Sequence, residues 1–407
     1  MVQGPDGTLY GTTRNGGTNV LGGTVFAFDT NNNSLTILYT FTDGADGAQP
    51  IGPLLLESNT LYGTASIGGT NGDGTVFSVN TDGTGFTVLH TFNGLDGQEP
   101  CMNLILSGNT LYSTAPSGGT NNDGTVFAIN TDGTGFTNLY SFSGNDGSQP
   151  GNLVLSGNML YGATADGGTN SSGTVFAIHT DGTGFTNLYE FDWHTGNFAP
   201  AANLILSGGV LYGAAMNEGI NPGSIFAINT NGTDFHTLYY FTNGDNEQAW
   251  EPNLSVASSS GMLYGTTEFS QTNWGIIFAI NTNGSNYSVL YTFTHGTDEA
   301  YAVGLTQCGN IFYGAALPYY SDPLAIDQGN LFALTLPPPT VNITSGSNLP
   351  VLNCSGISNF CYQVQSSTNL TAWTTLWTTN APPGGSFQFT DGNAPQPAAF
   401  YRLQWNP

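Results

Sequence analysis

Basic residues are almost absent from the sequence. It contains no lysine and only two arginines, Arg14 and Arg402, against 27 acidic residues, so its formal net charge is −25. Proteins that bind nucleic acids or anionic membrane surfaces place clustered Lys and Arg against phosphate groups. The composition therefore excludes both as partners. The missing lysine also excludes Schiff-base chemistry, a pyridoxal cofactor and a phosphate-binding P-loop.

Long apolar runs and a leader segment are missing as well. No run of 18 apolar residues is present that could span a bilayer. The first residues, MVQGPDG, carry neither the basic region nor the apolar core of a signal peptide, so we expect none in this chain. Charged residues make up only 7% of the sequence, but hydrophobic residues make up 39% and follow a strict pattern, which indicates a folded protein.

A repeat of about 50 residues organises most of the chain. The stretch from Asn103 to Phe142, NLILSGNTLYSTAPSGGTNNDGTVFAINTDGTGFTNLYSF, recurs with substitutions. The tyrosine near its centre occurs in successive copies at Tyr10, Tyr62, Tyr112, Tyr161, Tyr212, Tyr264 and Tyr313, in steps of 52, 50, 49, 51, 52 and 49 residues. Seven copies at one period indicate a repeat architecture, so the fold follows from what one repeat can form.

Each repeat contains four short apolar runs separated by turn residues. In the third copy they are Leu104–Ser107, Thr110–Ala115, Thr125–Asn130 and Phe136–Phe142, which we name strands A to D. Val, Ile, Phe, Tyr and Thr dominate the runs, and Gly, Asn and Asp the breaks, so the unit is predicted to be an antiparallel four-stranded meander. Seven such sheets arranged radially bury each other's faces. The predicted fold is all-β, a seven-bladed β-propeller over residues 1–336.

The repeat motifs resemble those of a known family. The recurrent LYGT motif is followed by Gly-Gly-Thr, then Gly-Thr-Val-Phe, an Asp-Gly hairpin and a closing Leu-Tyr-x-Phe. This series is similar to the bacterial tandem-repeat propeller family called GloVer repeats, over about Val2 to Leu336. The resemblance implies a propeller and a secreted or cell-surface location, and it supplies no catalytic residues.

The first and seventh repeats are expected to differ from the others. The first copy opens in strand A with no D strand before it, and the seventh ends at strand C, Asn330–Leu336. The outer edge of blade seven is therefore predicted to lack its fourth strand. Such an edge can accept a strand from another segment or another molecule.

The D-to-A connections of the first three repeats share an acidic position. Asp46, Asp96 and Asp146 recur there, and Asp43 lies close by in the first loop. Carboxylates in flexible loops are Ca²⁺ ligands, so these residues are candidate calcium ligands. The alternative is that Asp-Gly serves here as ordinary turn material.

From the fourth repeat onward the D-to-A and B-to-C loops diverge. Because strands alternate in direction, both loop types are predicted to emerge on one face, where binding sites are built on repetitive scaffolds. Aromatic rings beside carboxylates suit a neutral sugar, so the predicted ligand is a polysaccharide or surface glycan; the alternative is that the rings only cap the blades. The candidate ligand-binding residues are Trp193, His194, Phe198, Trp250, Trp274, Tyr301, Tyr319 and Tyr320. Candidate carboxylates for glycan cleavage, by their location in these loops alone, are Glu247, Glu251, Asp298 and Glu299.

Beyond a proline-rich linker at residues 337–340, the repeat pattern stops. Residues 341–407 contain six strand-like runs and are predicted to form a small β-sandwich. Cys354 and Cys361 flank a hairpin-like segment, and a disulfide between them would suit an oxidising compartment. The segments YQVQSSTNLTAWTTL and FTDGNAPQPAAFYRL resemble a C-terminal module of large secreted bacterial proteins, which implies attachment or display.

Three functions are compatible with these features. The favoured interpretation is a noncatalytic extracellular or cell-surface protein that binds a glycan on the loop face of blades 4–7. The first alternative is a structural protein that self-associates through the open edge of blade seven into a filament or surface layer. The second is a glycan-cleaving enzyme. Apart from the calcium position, no cofactor is expected.

Overall fold

The computed structural model describes residues 1–18, 20–192, 194, 199–216, 223–241, 252–257, 261–267, 275–294, 301–308, 310–317, 330–336, 339–346, 349–357, 360–382, 385–394 and 399–405. Strands and turns account for almost all of them. Within these ranges no helix is long and apolar enough to cross a membrane.

Seven antiparallel sheets follow one another along the propeller segment. Sheet 1 contains β1 (Val2–Gln3), β2 (Leu9–Thr13), β3 (Thr24–Asp29) and β4 (Ser34–Thr40); sheet 2 contains β5 (Leu55–Glu57), β6 (Thr60–Ala65), β7 (Thr75–Asn80) and β8 (Thr87–Thr91); sheet 3 contains β9 (Ile105–Ser107), β10 (Thr110–Ala115), β11 (Thr125–Asn130) and β12 (Thr137–Ser141); sheet 4 contains β13 (Ser148–Pro150), β14 (Val154–Ser156), β15 (Met159–Asp166), β16 (Thr174–His179) and β17 (Thr186–Glu190). Sheet 5 contains β18 (Pro200–Ser207), β19 (Val210–Ala215), β20 (Ser224–Asn229) and β21 (His236–Tyr240); sheet 6 contains β22 (Asn253–Ala257), β23 (Met262–Thr267), β24 (Ile276–Asn281) and β25 (Ser288–Thr292); sheet 7 contains β26 (Tyr301–Cys308), β27 (Ile311–Leu317) and β28 (Asn330–Thr335).

The sheets have the order that the repeat predicts. In each of sheets 1, 2, 3, 5 and 6 the four strands form a meander in sequence order, and β10 and β11 have the predicted bounds. In sheet 4 the innermost position is divided between β13 and β14, which both pair with β15. Among the described residues, sheet 7 has three strands, and β28 pairs with β27 alone. The all-β propeller class is confirmed, and the number of blades in the ring stays a prediction.

Aromatic side chains fill the spaces between neighbouring sheets. Between sheets 1 and 2, Tyr39 stacks on Phe86 with ring centroids 3.6 Å apart, while Phe41 meets Phe77 edge-on at 5.1 Å. The same arrangement of four rings recurs at the next four junctions, formed by His90, Phe92, Phe127 and Phe136; Tyr140, Phe142, Phe176 and Phe185; Tyr189, Phe191, Phe226 and Phe235; and Tyr239, Phe241, Phe278 and Tyr287. Offset and edge-to-face ring pairs each add stabilisation beyond the area they bury.

A chain of asparagines links the innermost strands around the axis. The Asn103 backbone N–H donates to Asn152 Oδ1 over 2.7 Å. Asn152 Nδ2 in turn donates to Asn203 Oδ1, and Asn203 Nδ2 donates to Asn253 Oδ1 over 2.8 Å. These four residues come from sheets 3 to 6, so side-chain amides provide polar links where the strands are too short to bury much apolar surface.

The ends of the propeller segment meet at the axis. Thr306 Oγ1 of β26 donates to the Met1 carbonyl over 2.9 Å. This bond places β26 of sheet 7 next to the start of sheet 1.

Two three-stranded sheets follow the propeller. One contains β29 (Thr340–Gly346), β30 (Leu349–Ser355) and β33 (Ser386–Thr390); the other contains β31 (Cys361–Ser367), β32 (Thr374–Asn380) and β34 (Phe400–Trp405). Their buried residues form one cluster with residues of sheets 6 and 7. In this cluster the Tyr264 ring lies 4.7 Å from Phe312 and 6.1 Å from Phe360, measured between ring centroids.

The predicted disulfide is not formed in this structure. Cys354 is a free thiol and is buried. It lies on β30, whereas Cys361 begins β31 in the other sheet, and the Cys361 side chain lies outside the described residues. Because Cys354 Sγ is directed into the apolar cluster, burial raises the pKa of this thiol to about 11, so it behaves as a small apolar side chain.

Candidate ligand-binding face

The D-to-A and B-to-C loops form one connected surface, which we call the loop face. The Ala48 N–H donates to the Ile67 carbonyl over 2.8 Å, and the Ile67 N–H returns a bond to Ala48 over 3.2 Å. Gln98 and Ser117 repeat this exchange at the next junction, over 2.8 and 3.3 Å. Each pair joins a D-to-A loop to the B-to-C loop of the following sheet. The prediction that both loop types share one face is therefore confirmed for these sheets.

The residue before each loop proline is held in a left-handed backbone conformation. Gln49, Glu99 and Gln149 have φ of 53°, 58° and 56°, and prolines 50, 100 and 150 follow them. Their N–H groups donate to the carbonyls of Gly22, Asp73 and Asp123 in the B-to-C loop of the preceding sheet, over 2.9, 3.1 and 3.1 Å. This conformation is strained for a non-glycine residue, so the surrounding contacts must hold the backbone in it.

These three side chains form a polar row on the loop face. Arg14 Nε donates to Gln49 Oε1 over 3.3 Å, Ser117 Oγ donates to Glu99 Oε2 over 3.3 Å, and Gln149 Nε2 donates to Asp166 Oδ2 over 2.9 Å. The sequence interpretation missed this row, although its signal was present as Gln or Glu before proline in three successive loops. Glu251, which precedes Pro252, occupies the same position in the repeat.

The recurrent loop aspartates accept hydrogen bonds from their own loops. Asp46 accepts from Thr42 N over 2.9 Å, from Thr42 Oγ1 over 2.5 Å and from the Tyr39 hydroxyl over 3.0 Å. Burial acts to raise the pKa of Asp46, but these hydrogen bonds outweigh it and hold the pKa below its usual value. Burial, together with the bond to Asp46, raises the pKa of Tyr39 to about 12.

The next two loops repeat this use of the carboxylate. Asp96 accepts from Asn93 N over 2.9 Å and lies 3.1 Å from His90 Nε2, whereas Asp146 accepts from Ser143 N over 2.8 Å and from the Tyr140 hydroxyl over 2.6 Å. Within the described residues there is no group of three or more His, Cys, Asp or Glu side chains that could hold a metal ion. The described geometry of Asp46, Asp96 and Asp146 thus supports the turn interpretation.

Most of the predicted ligand-binding residues lie outside the part of the chain that the structure describes. Of these residues only His194 is fully described: its ring Nδ1 lies 3.0 Å from Asp192 Oδ1, and its backbone and side-chain bonds hold the pKa of Asp192 below the usual value. Tyr301 begins β26, and its side chain lies outside the described residues. Trp193, Phe198, Trp250, Trp274, Tyr319 and Tyr320 also lie outside them, as do Glu247, Glu251, Asp298 and Glu299.

The described part of the loop face is acidic and rich in amides. Asp73, Asp123, Asp166 and Glu99 lie in or beside its loops, and Arg14 is one of only two basic residues in the whole sequence. Such a surface repels anions and presents many hydrogen-bond acceptors. It can therefore receive a neutral, hydroxyl-rich ligand.

Comparisons with known proteins agree with the fold. The family model of the Gloeobacter/Verrucomicrobia repeat matches the chain over residues 1–221 and 150–332. No match is found among curated protein sequences. The structure is similar to the GH74 xyloglucanase from Xanthomonas campestris, with a TM-score of 0.54 and 12% identity over 86% of this chain and 56% of that one, so it spans little more than half of that enzyme. It is also similar to an oligogalacturonate lyase solved in complex with manganese, with a TM-score of 0.50 and 11% identity over 77% of this chain and 83% of that one. At such identities the similarity shows a shared propeller fold and nothing of function.

Proposed function

The chain belongs to the Gloeobacter/Verrucomicrobia repeat family, and from this premise we propose that it is a noncatalytic binding protein of the cell surface or the extracellular space, with a glycan as its ligand. The observation that carries the proposal is the hydrogen-bonded union of the D-to-A and B-to-C loops into one face. From the fourth repeat onward the aromatic and acidic insertions fall in these two sets of loops, so they are concentrated where the scaffold can present a ligand site.

Chemistry favours a neutral sugar over other ligands. The diverged loops carry Trp193, Trp250 and Trp274, which are all the tryptophans of the propeller segment. Sugar rings stack their C–H faces on such side chains, while carboxylate and amide groups accept and donate hydrogen bonds to the hydroxyl groups. The net charge of −25 argues against phosphorylated or sulfated ligands.

Glycan-array binding of the purified full chain tests this function. We expect specific binding that a Trp193→Ala/Trp250→Ala variant loses. The matched control is Trp373→Ala, which removes the same ring from the C-terminal sheets, where Arg402 covers it at 4.3 Å, and which should leave binding intact. Equal loss in both variants, or no binding at all, would contradict a glycan site on the loop face.

Glycan cleavage is the alternative to be separated from binding. Every glycan that binds is incubated with the protein, and products are analysed by mass spectrometry. We expect no turnover. If turnover occurs and Glu247→Gln, Glu251→Gln, Asp298→Asn or Glu299→Gln abolishes it while binding persists, the protein is a glycosidase and the noncatalytic proposal is wrong.

A further inference from the structure

The asparagine chain at the axis runs in one direction and has a free donor end. Asn152 Nδ2 donates to Asn203 Oδ1, and Asn203 Nδ2 donates to Asn253 Oδ1 over 2.8 Å. Asn253 is half-buried, and its Nδ2 has no hydrogen-bond partner among the described residues. Because an amide that accepts a hydrogen bond is polarised, its own N–H groups become better donors. The chain therefore ends in N–H groups of Asn253 that can bind a ligand.

The other end of the chain is occupied by the protein itself. Asn103 Nδ2 donates to the Leu153 carbonyl over 3.1 Å, and Asn103 Oδ1 accepts from the Leu153 N–H over 3.1 Å. Both polar atoms of the Asn103 amide are thus bonded to the backbone of the next sheet. The first amide of the chain has a structural partner, whereas the last amide presents its donors at the axis.

The structure leaves room next to the free end. In sheet 7 the position of the chain asparagines is taken by Gly304, which precedes Leu305 as Asn253 precedes Leu254. Strand β26, which contains Gly304, packs next to β22, which begins at Asn253. Gly304 has a φ of 66°, and a Cβ placed on it would meet no described atom within 4 Å. The amide chain thus stops where the next sheet has no side chain and the space is open.

This open space lies at the loop-face end of the axis. Asn203 and Asn253 follow Pro200 and Pro252, which end two of the diverged D-to-A loops. Trp250, one of the predicted ligand-binding residues, precedes Asn253 by three residues, so the chain between their Cα atoms spans at most about 11 Å. One oligosaccharide can therefore contact both residues.

We propose that Asn253 is a specificity-determining residue of the glycan site, and that its Nδ2 donates to an acceptor oxygen of a neutral sugar bound in the space beside Gly304. The inference rests on the proposed function, because it adds a subsite to the same glycan site. The ring and glycosidic oxygens of a sugar accept hydrogen bonds and cannot donate them, so they match the free N–H groups. They also carry no charge, which suits a chain with a net charge of −25.

Asn253→Asp tests this donor without interrupting the chain. The carboxylate still accepts the bond from Asn203 Nδ2, but an oxygen replaces the N–H groups. Calorimetric titration with the glycan that the array identifies is expected to show about tenfold weaker binding or worse, because the acceptor oxygen of the sugar then faces a second acceptor. The thermal midpoint should stay that of the wild type, so that the loss of affinity reports the contact with the sugar and not a change in the fold.

Asn231→Asp is the matched control for the added charge. Asn231 lies in a C-to-D hairpin, on the face opposite the loop face, where the corresponding residue of sheet 2 is already Asp82. Asn231 Oδ1 accepts from the Thr233 N–H over 3.0 Å. Asp82 Oδ1 accepts the equivalent bond from Thr84 over 2.9 Å, so the substitution keeps the turn. This variant should bind the glycan with the affinity of the wild type.

The outcomes separate this inference from the proposed function. If Trp193→Ala/Trp250→Ala loses binding but Asn253→Asp keeps the affinity of the wild type, the glycan site stays on the loop face and the role of Asn253 is wrong. Equal losses of affinity in Asn253→Asp and Asn231→Asp would also overturn that role, because the added charge alone would then explain them. If the wild type binds no glycan, the proposed function fails and this inference fails with it.

Discussion

The junction between sheets 2 and 3 and the junction between sheets 7 and 1 differ in one strand. At the first, Phe92, which directly follows β8, is fully buried against Phe127 and Phe136. At the second, no described residue takes the place of Phe92, and Leu35 remains exposed. Among the described residues, the same repeat thus gives a packed junction where the bridging strand is present and an open junction where it is not.

The largest difference is expected from truncating the buried ring at the closed junction. Phe92→Ala should lower the free energy of unfolding by about 3–5 kcal/mol, because it removes buried surface and leaves a cavity. Leu35→Ala, at the open junction, should change it by less than about 0.5 kcal/mol, as is usual for exposed positions. Urea denaturation of both variants measures this difference, and equal losses of stability would mean that the junction between sheets 7 and 1 is closed in solution.

A smaller loss is expected from interrupting the asparagine chain at the axis. Asn152→Ala leaves the Asn103 backbone N–H and Asn203 Oδ1 without their partner, at a cost of about 1–3 kcal/mol. The control is Asn145→Ala, at an exposed loop position where the first repeat already has Ala45. If the two variants have the same denaturation midpoint, the chain of amides adds nothing to stability.

Loss of one loop hydrogen bond should have a lesser effect. Tyr140→Phe keeps the stacked ring and removes the bond to Asp146, which should lower stability by about 0.5–1.5 kcal/mol. The exposed Tyr240 provides the matched change, and Tyr240→Phe should be neutral by the same denaturation assay. A neutral Tyr140→Phe variant would show that Asp146 does not depend on the hydroxyl.

The smallest effect concerns pH, because the second junction has His90 where the others have tyrosine. Burial, only partly opposed by Asp96, holds the pKa of His90 below its unfolded value of about 6.5. As the pH falls, His90 therefore binds a proton in the unfolded state before it does so in the folded state. Below about pH 6.5 this difference lowers the free energy of unfolding. His90→Tyr should flatten the thermal midpoint between about pH 7 and 5 relative to the wild type. Parallel pH profiles would contradict this role.

The strands could be predicted from the sequence because turn residues and short apolar runs determine strand formation over only a few neighbouring residues. Thr110–Ala115 and Thr125–Asn130 were predicted with the bounds they have in β10 and β11. Phe136 was placed inside the last strand, yet it precedes β12 and stacks on His90, a contact that depends on the neighbouring sheet.

Residue chemistry alone could not assign the aspartates or cysteines. A carboxylate beside Gly can hold a cation or accept N–H groups of its own turn. The N–H donors to Asp46 and Asp146 favour the second role, and the calcium site stays a prediction. Likewise, the spacing of Cys354 and Cys361 suggests a bridge, whereas Cys354 is a free thiol buried in the core beside the propeller. The predicted glycan residues on the loop face stay predictions.

Hydrogen exchange of the two third strands β11 and β28, followed by mass spectrometry on one sample of the full chain, tests the central contrast most directly. Residues 125–128 pair with both β10 and β12, whereas among the described residues the partner strand of residues 331–335 is β27 alone. The open junction predicts that residues 330–335 exchange at least about tenfold faster. Equal protection of both strands would mean that the outer edge of β28 is covered, and the junction between sheets 7 and 1 would not be open.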